Sequence, residues 1–124
     1  MEQRREVIGM IHEMKLNKAP FLMIECGEKI YELRLWDEKR QLLSVGDKIV
    51  FTMADDAARK MTVDVVALHR FASFDELYRA LPLDRCGYRK DEIESASPSD
   101  MEAYYSKEMQ SQYGVVAIEV KVLT

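Results

Sequence analysis

Gly27-Glu28-Lys29-Ile30-Tyr31-Glu32-Leu33-Arg34-Leu35 is the stretch whose reading decides this chain. Gly27 is a natural helix stop, because glycine takes the left-handed conformation that ends helices at no steric cost. A strand begins at once. It alternates Tyr31, Leu33 and Leu35 on one side with Ile30, Glu32, Arg34 and Trp36 on the other. A charged pair thus shares one face of a strand otherwise built for burial, with Lys29 at the turn below it. The candidate site is placed here.

Upstream, residues 7–16 read as a first strand, with Met10, His12, Met14 and Leu16 alternating with Ile11, Glu13 and Lys15. Asn17-Lys18-Ala19-Pro20 then opens a short helix, with Pro20 in the first turn, where its missing N–H does no harm. Phe21 and Ile24 point to the core. Downstream, the cluster Asp37-Glu38-Lys39-Arg40 has no periodic apolar residue and reads as a solvated turn. Val45-Gly46-Asp47 is a turn leading into the apolar strand Lys48 to Met53. After a turn at 54–57, Met61 to Arg70 is the longest strand candidate, with Val63, Val65 and Ala67 on one face.

Ser73-Phe74-Asp75-Glu76 is a capping box, and the helix it starts carries Phe74, Leu77, Tyr78 and Leu81 at core spacing. A loop at 84–88 and a weak helical turn at 91–96 follow. Ser97-Pro98-Ser99-Asp100 predicts one further helix running to just before Gly114, with Met101, Tyr104, Tyr105 and Met109 as its apolar stripe. The closing strand is Val115 to Val122, with Val116, Ile118, Val120 and Val122 facing in. These elements predict a single α+β domain over 1–124, a small β-barrel of about five to six strands with three to four short helices. There are no repeats, linkers or low-complexity segments.

The net charge of −4 argues against broad, non-specific nucleic-acid binding, whose affinity comes from Lys and Arg meeting phosphates. The charge is unevenly spread. Residues 15–40 hold six Lys/Arg against five Asp/Glu, whereas residues 91–108 hold six Asp/Glu and only Lys107, so an anionic ligand is expected at the first region. Cys26 and Cys86 make neither a disulfide framework nor a zinc knuckle. His12 and His69 stand alone in strand patterns and read as strand-surface histidines, so neither a metal nor another cofactor is expected. The apolar run from Val7 to Ile11 is too short for a membrane span or a secretory signal, and the chain reads as cytoplasmic.

With these residues in hand, the chain resembles the ASCH domain family, whose fold is similar to the PUA barrel. Its Gly-x-Lys-x-x-x-x-Arg signature is matched by Gly27, Lys29 and Arg34. The Val45-Gly46-Asp47 turn, the helix opening at Ser73, the Tyr104-Tyr105-Ser106 segment and the terminal strand from Gly114 also fit, so the resemblance runs from roughly Met10 to the end. It implies a PUA-like module that binds RNA or a nucleoside in a cleft beside the barrel. Some bacterial members are similar in fold yet act as amidohydrolases on N4-acetylcytidine, with the signature Lys, a Thr nucleophile three residues later and a Glu further along. Here the Lys matches Lys29, but Glu32 occupies the Thr position. A carboxylate nucleophile would give an anhydride in place of an ester. The third member falls near Arg85, with Glu76 as a substitute only if it does not cap its helix.

Three readings compete for Lys29, Glu32 and Arg34. In a binding site, Lys29 or Arg34 meets a phosphate or carbonyl and Glu32 accepts from a base amino group. Trp36, Lys39 and Arg40 extend that site, and Tyr88, Tyr104 and Tyr105 are candidate stacking surfaces, with the helical stripe favouring core packing for the last two by about two to one. In a purely structural role, Glu32 and Arg34 bridge each other, contributing about 0–1 kcal/mol if exposed. In an amidohydrolase, Glu32 is the general base and Lys29 stabilises the oxyanion. Beside these stands a protein-interaction domain. Binding of RNA or a nucleoside, with no membrane partner, is the reading the residues favour.

Overall fold

The computed structural model describes residues 9–123. In chain order they form β1 (Ile11–Leu16), α1 (Lys18–Glu25), β2 (Tyr31–Leu35), β3 (Lys48–Met53), β4 (Asp56–Phe71), α2 (Phe74–Ala80), α3 (Lys107–Tyr113) and β5 (Val115–Val122). Short 3-10 turns occupy Arg40–Leu42, Leu83–Arg85, Ile93–Ser95 and Pro98–Ala103. Residues 7 and 8 of the expected first strand lie outside the described residues.

The strands make one five-stranded sheet in the order β1-β3-β4-β5-β2. Only the β1–β3 pair is parallel, which the α1 crossover permits; β3–β4, β4–β5 and β5–β2 are antiparallel. The sheet curls into a half-barrel, the small PUA-like α+β architecture. Its two edge strands, β1 and β2, do not pair with each other. That gap positions the site.

Burial follows the alternation read from sequence. Inside the curl, Met14, Leu16, Ile49, Phe51, Val63, Val116, Ile118 and Val120 pack around Phe21 and Ile24 of α1, which plugs the concave side. On the convex side a second layer forms, with Leu33, Leu35, Val115 and Ala117 against Phe74, Leu77 and Tyr78 of α2, plus Cys86 and Met101. β2 is therefore apolar on its convex face, with Glu32 and Arg34 on the other, and β5 is apolar on both faces from Val115 to Ile118 before Glu119 and Lys121 interrupt.

Three expectations are corrected. The face Val63, Val65, Ala67 is broken by a bulge between Val65 and Ala67, which leaves Val66 exposed and hands the inward position to Leu68. The single helix from Ser97 divides into two elements. Pro98–Ala103 is a 3-10 turn under a complete Ser97–Asp100 capping box, and α3 starts afresh with Ser106 accepting from the Met109 N–H at 3.2 Å. With the register reset at Ser106, Met101 is buried but Tyr104 and Met109 are exposed. His12, expected at the strand surface, is enclosed: its side chain is 8% exposed and its Nε2 lies 2.7 Å from Asp47 Oδ2. The helix cap at Ser73 forms, although Glu76 reaches the Ala72 N–H at 3.1 Å, one residue further back than a capping box requires.

Asp47 ties the start of β1 to the turn before β3. It accepts from the backbone N–H groups of Met10 and Ser44, both at 3.0 Å, and from His12. Gly9 passes so close to Gly46 that any side chain would collide with its carbonyl. Burial pushes the Asp47 carboxyl up, but the His12, Ser44 and Met10 hydrogen bonds outweigh it and hold it below its ordinary value. Asp47→Ala leaves two backbone donors without acceptors, and a loss of about 2–3 kcal/mol is expected in urea unfolding at pH 7. A loss within 0.5 kcal/mol, roughly the scatter of surface substitutions, would show that this clasp is dispensable.

Candidate functional site

α1 ends where the sequence placed its stop, with Cys26 as the cap and Gly27 at φ +87°. The Lys29 N–H donates back to the Met23 carbonyl at 3.0 Å, turning the chain sharply into β2. The next two even-numbered residues point to the same side. Tyr31, Leu33 and Leu35 pack on the convex layer and Trp36 on the inner one, so Glu32 and Arg34 face the gap between the sheet edges.

There Glu32 is held between two cations. Its Oε1 is 2.9 Å from Lys29 Nζ and its Oε2 is 2.6 Å from Arg34 Nε. The Glu32 residue is 4% exposed and Lys29 7%. This is not a solvated surface bridge. Burial pushes the Glu32 carboxyl up, but the charges and hydrogen bonds of Lys29 and Arg34 outweigh it and hold it below its ordinary 4.5. Burial also opposes the Arg34 charge, and Glu32 overcomes it. Arg34 Nη2 then donates 2.8 Å to the Lys15 carbonyl on β1. One guanidinium thus spans the two edge strands of the half-barrel.

The triad forms the floor of a cleft of about 510 Å³, within the roughly 300–1,000 Å³ range of small-ligand sites. One wall is the end of β1 with the first turns of α1, including Lys15, Asn17, Pro20 and Met23. The other combines Tyr78, Cys86, Gly87 and Tyr88 with Asp100, Tyr104 and Tyr105. Tyr105 stacks on Phe74 at 6.3 Å between centroids with 16° between planes, which fixes its ring at the cleft side. The Tyr88 O–H donates 2.8 Å to Asp100 Oδ2 while its oxygen accepts from the Tyr78 hydroxyl at 2.6 Å. Burial and the Asp100 carboxylate push the Tyr88 phenol well up, so it stays protonated. Burial pushes the Cys86 thiol up to about 11 against the pull of Lys29, which makes it a poor nucleophile.

Of the residues picked from sequence, Lys29, Glu32, Arg34, Tyr88 and Tyr105 come together in this cleft. Trp36, Lys39 and Arg40 do not line it. Trp36 packs on the inner core, with Arg70 over its ring at 4.7 Å. Lys39 is exposed in the turn. Arg40 folds inward, 3.7 Å from Asp37, and its Nε is buried with no hydrogen-bond partner. Burial and the nearby Arg34 charge lower its pKa. Arg85 donates to the Gly27 carbonyl at 3.1 Å, away from the triad, and Glu76 is occupied as a cap.

Sequence reasoning found the tyrosines of the opposite wall, although it weighted Tyr104 toward the core, and missed Gly87, Glu92 and Asp100 there. Tyr104 is 66% exposed, and Ser106 was the signal that would have freed it from a buried stripe. Gly87 was passed over as an ordinary loop residue. It has φ +109°, and a Cβ there would sit 3.3 Å from Lys29 Cδ, so its bareness lets the loop close over the lysine stem. Glu92 and Asp100, from the acidic region, also line the cleft that the basic region floors. Among the described residues no cluster of His, Cys, Asp and Glu could hold a metal ion, and no helix is long and apolar enough to cross a membrane.

A PUA-like half-barrel with a buried Lys–Glu–Arg floor is the class that fold and site define. The chain belongs to the ASCH domain family, whose model matches residues 14–124. It is similar to the crystal structure of hypothetical protein PH0355, with 28% identity, a TM-score of 0.74, and coverage of 92% of this chain and 100% of that one. It is likewise similar to the solution NMR structure of protein PF0455 from Pyrococcus furiosus, at 32% identity and a TM-score of 0.72, covering 92% and 98%. A comparison with curated proteins finds no match.

Because Glu32 stays ionised below its ordinary value, its contribution to stability is present above pH 4.5 and is lost as pH falls through the folded-state value. Glu32→Gln leaves two buried cations without their carboxylate, an expected cost of about 3–5 kcal/mol at pH 7. Measured by urea unfolding from pH 7 downward, the gap between wild type and variant should narrow below pH 4.5. A gap independent of pH would mean that Glu32 is not ionised in the fold.

Proposed function

We propose that this chain is an RNA- or nucleoside-binding module that holds one base in the cleft above Lys29, Glu32 and Arg34. The observation that carries the reading is the buried triad on the floor of an open cleft walled by tyrosines. Each Glu32 oxygen has two acceptor sites and spends one on its cation, so the other can accept from an exocyclic amino group. Lys29 and Arg34 are fixed as donors for a carbonyl. Tyr104 and Tyr105 offer ring faces on which a base can stack. The likeness of ASCH domains to PUA modules supports the same reading. With a net charge of −4, recognition depends on a small footprint, not on a long phosphate track.

The same geometry weighs against an amidohydrolase with Glu32 as base. A carboxylate held below its ordinary value by two cations takes up a proton reluctantly. Cys86, pushed up to about 11 by burial, is a poor nucleophile.

The test is an NMR titration of labelled protein with N4-acetylcytidine and with a short single-stranded RNA, following amide shifts and released acetate together. Shifts centred on residues 29–34 and 104–105, without acetate, are expected, with a shallow salt dependence. Tyr105→Leu should weaken binding by about 1–3 kcal/mol by removing the stacking face. Acetate released at a rate that depends on Glu32 would instead make the chain a hydrolase. Shifts outside the cleft on adding cell-extract fractions, with none from either ligand, would point to a protein-interaction domain.

A further inference from the structure

The charges lining the cleft cancel: Lys15, Lys29 and Arg34 face Glu32, Glu92 and Asp100. Such a chamber suits a base and sugar, and offers a phosphate little net attraction. Across a ridge made by Met23 and Tyr88, which line both spaces, lies a second pocket of about 420 Å³ with a different balance. Arg85, Arg89 and Lys90 line it against only Glu28 and Asp84. None of these five side chains forms an ion pair among the described residues.

The pocket is anchored to the site. The Arg85 guanidinium donates to the Gly27 carbonyl at 3.1 Å, and the Arg85 carbonyl accepts from the Ile30 N–H at 2.9 Å, so its position is fixed against the turn that carries Lys29. Asp91 follows this basic run directly, and the next residue, Glu92, spends an oxygen on the Arg89 backbone N–H at 2.8 Å. Among the described residues neither Arg89 nor Lys90 forms an ion pair, and the pocket lining holds three cations against two carboxylates. Arginine and lysine side by side are the pairing that phosphate oxygens accept, through charge-assisted hydrogen bonds.

We propose that this second pocket takes a phosphate group covalently attached to the nucleoside bound in the cleft, so that the ligand is a nucleotide or an RNA residue and not a free nucleoside. The proposal rests on the base-binding reading above. The ridge is its hinge: a base against the tyrosine wall and a phosphate beyond Tyr88 would straddle it. One phosphate contact keeps the expected salt dependence shallow, since each contributes a slope of only about −0.7 for a single strand.

The test compares wild type with an Arg89→Ala/Lys90→Ala double variant. Both are exposed, so the fold should be unaffected. Inorganic phosphate, against sodium chloride at matched ionic strength, should shift amides 85–90 in wild type only. The monophosphate of N4-acetylcytidine should bind wild type about tenfold more tightly than the nucleoside. The double variant should lose that advantage and keep its nucleoside affinity. Equal affinities for the two ligands in wild type, or phosphate shifts that persist in the variant, would overturn the proposal while the cleft reading stands. Phosphate shifts at 85–90 with no nucleoside shift at 29–34 would instead sink the cleft reading and the attached phosphate with it.

Discussion

An ionised carboxylate enclosed between two cations, at the seam of an open barrel, is the constraint on which this structure turns. A half-barrel whose two edge strands do not pair with each other presents donors and acceptors that ordinarily invite another strand. Here the nearest partner of the β1 edge is a side chain: Arg34 donates to the Lys15 carbonyl. That bond is available only because Glu32 holds Arg34 by its Nε, and Glu32 tolerates burial only because Lys29 holds its other oxygen. Removing any member leaves a desolvated charge, and this is why the three act as one unit.

The same arrangement decides what the site can do. Pairing lowers the basicity of Glu32 and fixes two donor heads, which favours recognition over proton abstraction. The far wall is stiffened by the Tyr78–Tyr88–Asp100 hydrogen-bond chain and by Tyr105 stacked on Phe74, and Gly87 lets that wall close down on the lysine stem. Shape and polarity are thus set before any ligand arrives, which reduces the ordering cost of binding.

Much of this was legible in the chain. Period-two alternation announced β1, β2 and β5, because a strand buried on one face must repeat every second residue, while β3 was announced by an apolar run after the Val45-Gly46-Asp47 turn. Gly27 and Asn17-Lys18-Ala19-Pro20 bounded α1 through backbone chemistry alone. The bulge near Val66 was not legible, since one extra residue in a ladder leaves no mark in local composition and is chosen by the partner strand. The break at Ser106 was legible and was overridden by a stripe that looked continuous.

The sequence by itself determined most of the elements, the family and the charged pair on the face of β2. Those depend on spacing, capping and glycine conformations, all of which are local. Only the tertiary structure decided that Lys29 meets Glu32, that Arg34 reaches across to β1, and that Trp36, Lys39 and Arg40 lie away from the cleft. It also brought Glu92 and Asp100 opposite the basic floor, although some sixty residues separate them from it along the chain. The physical reason is common to all of these. Direction and burial of a long charged side chain are set by the curl of the sheet and by what packs over it, and no local pattern encodes either.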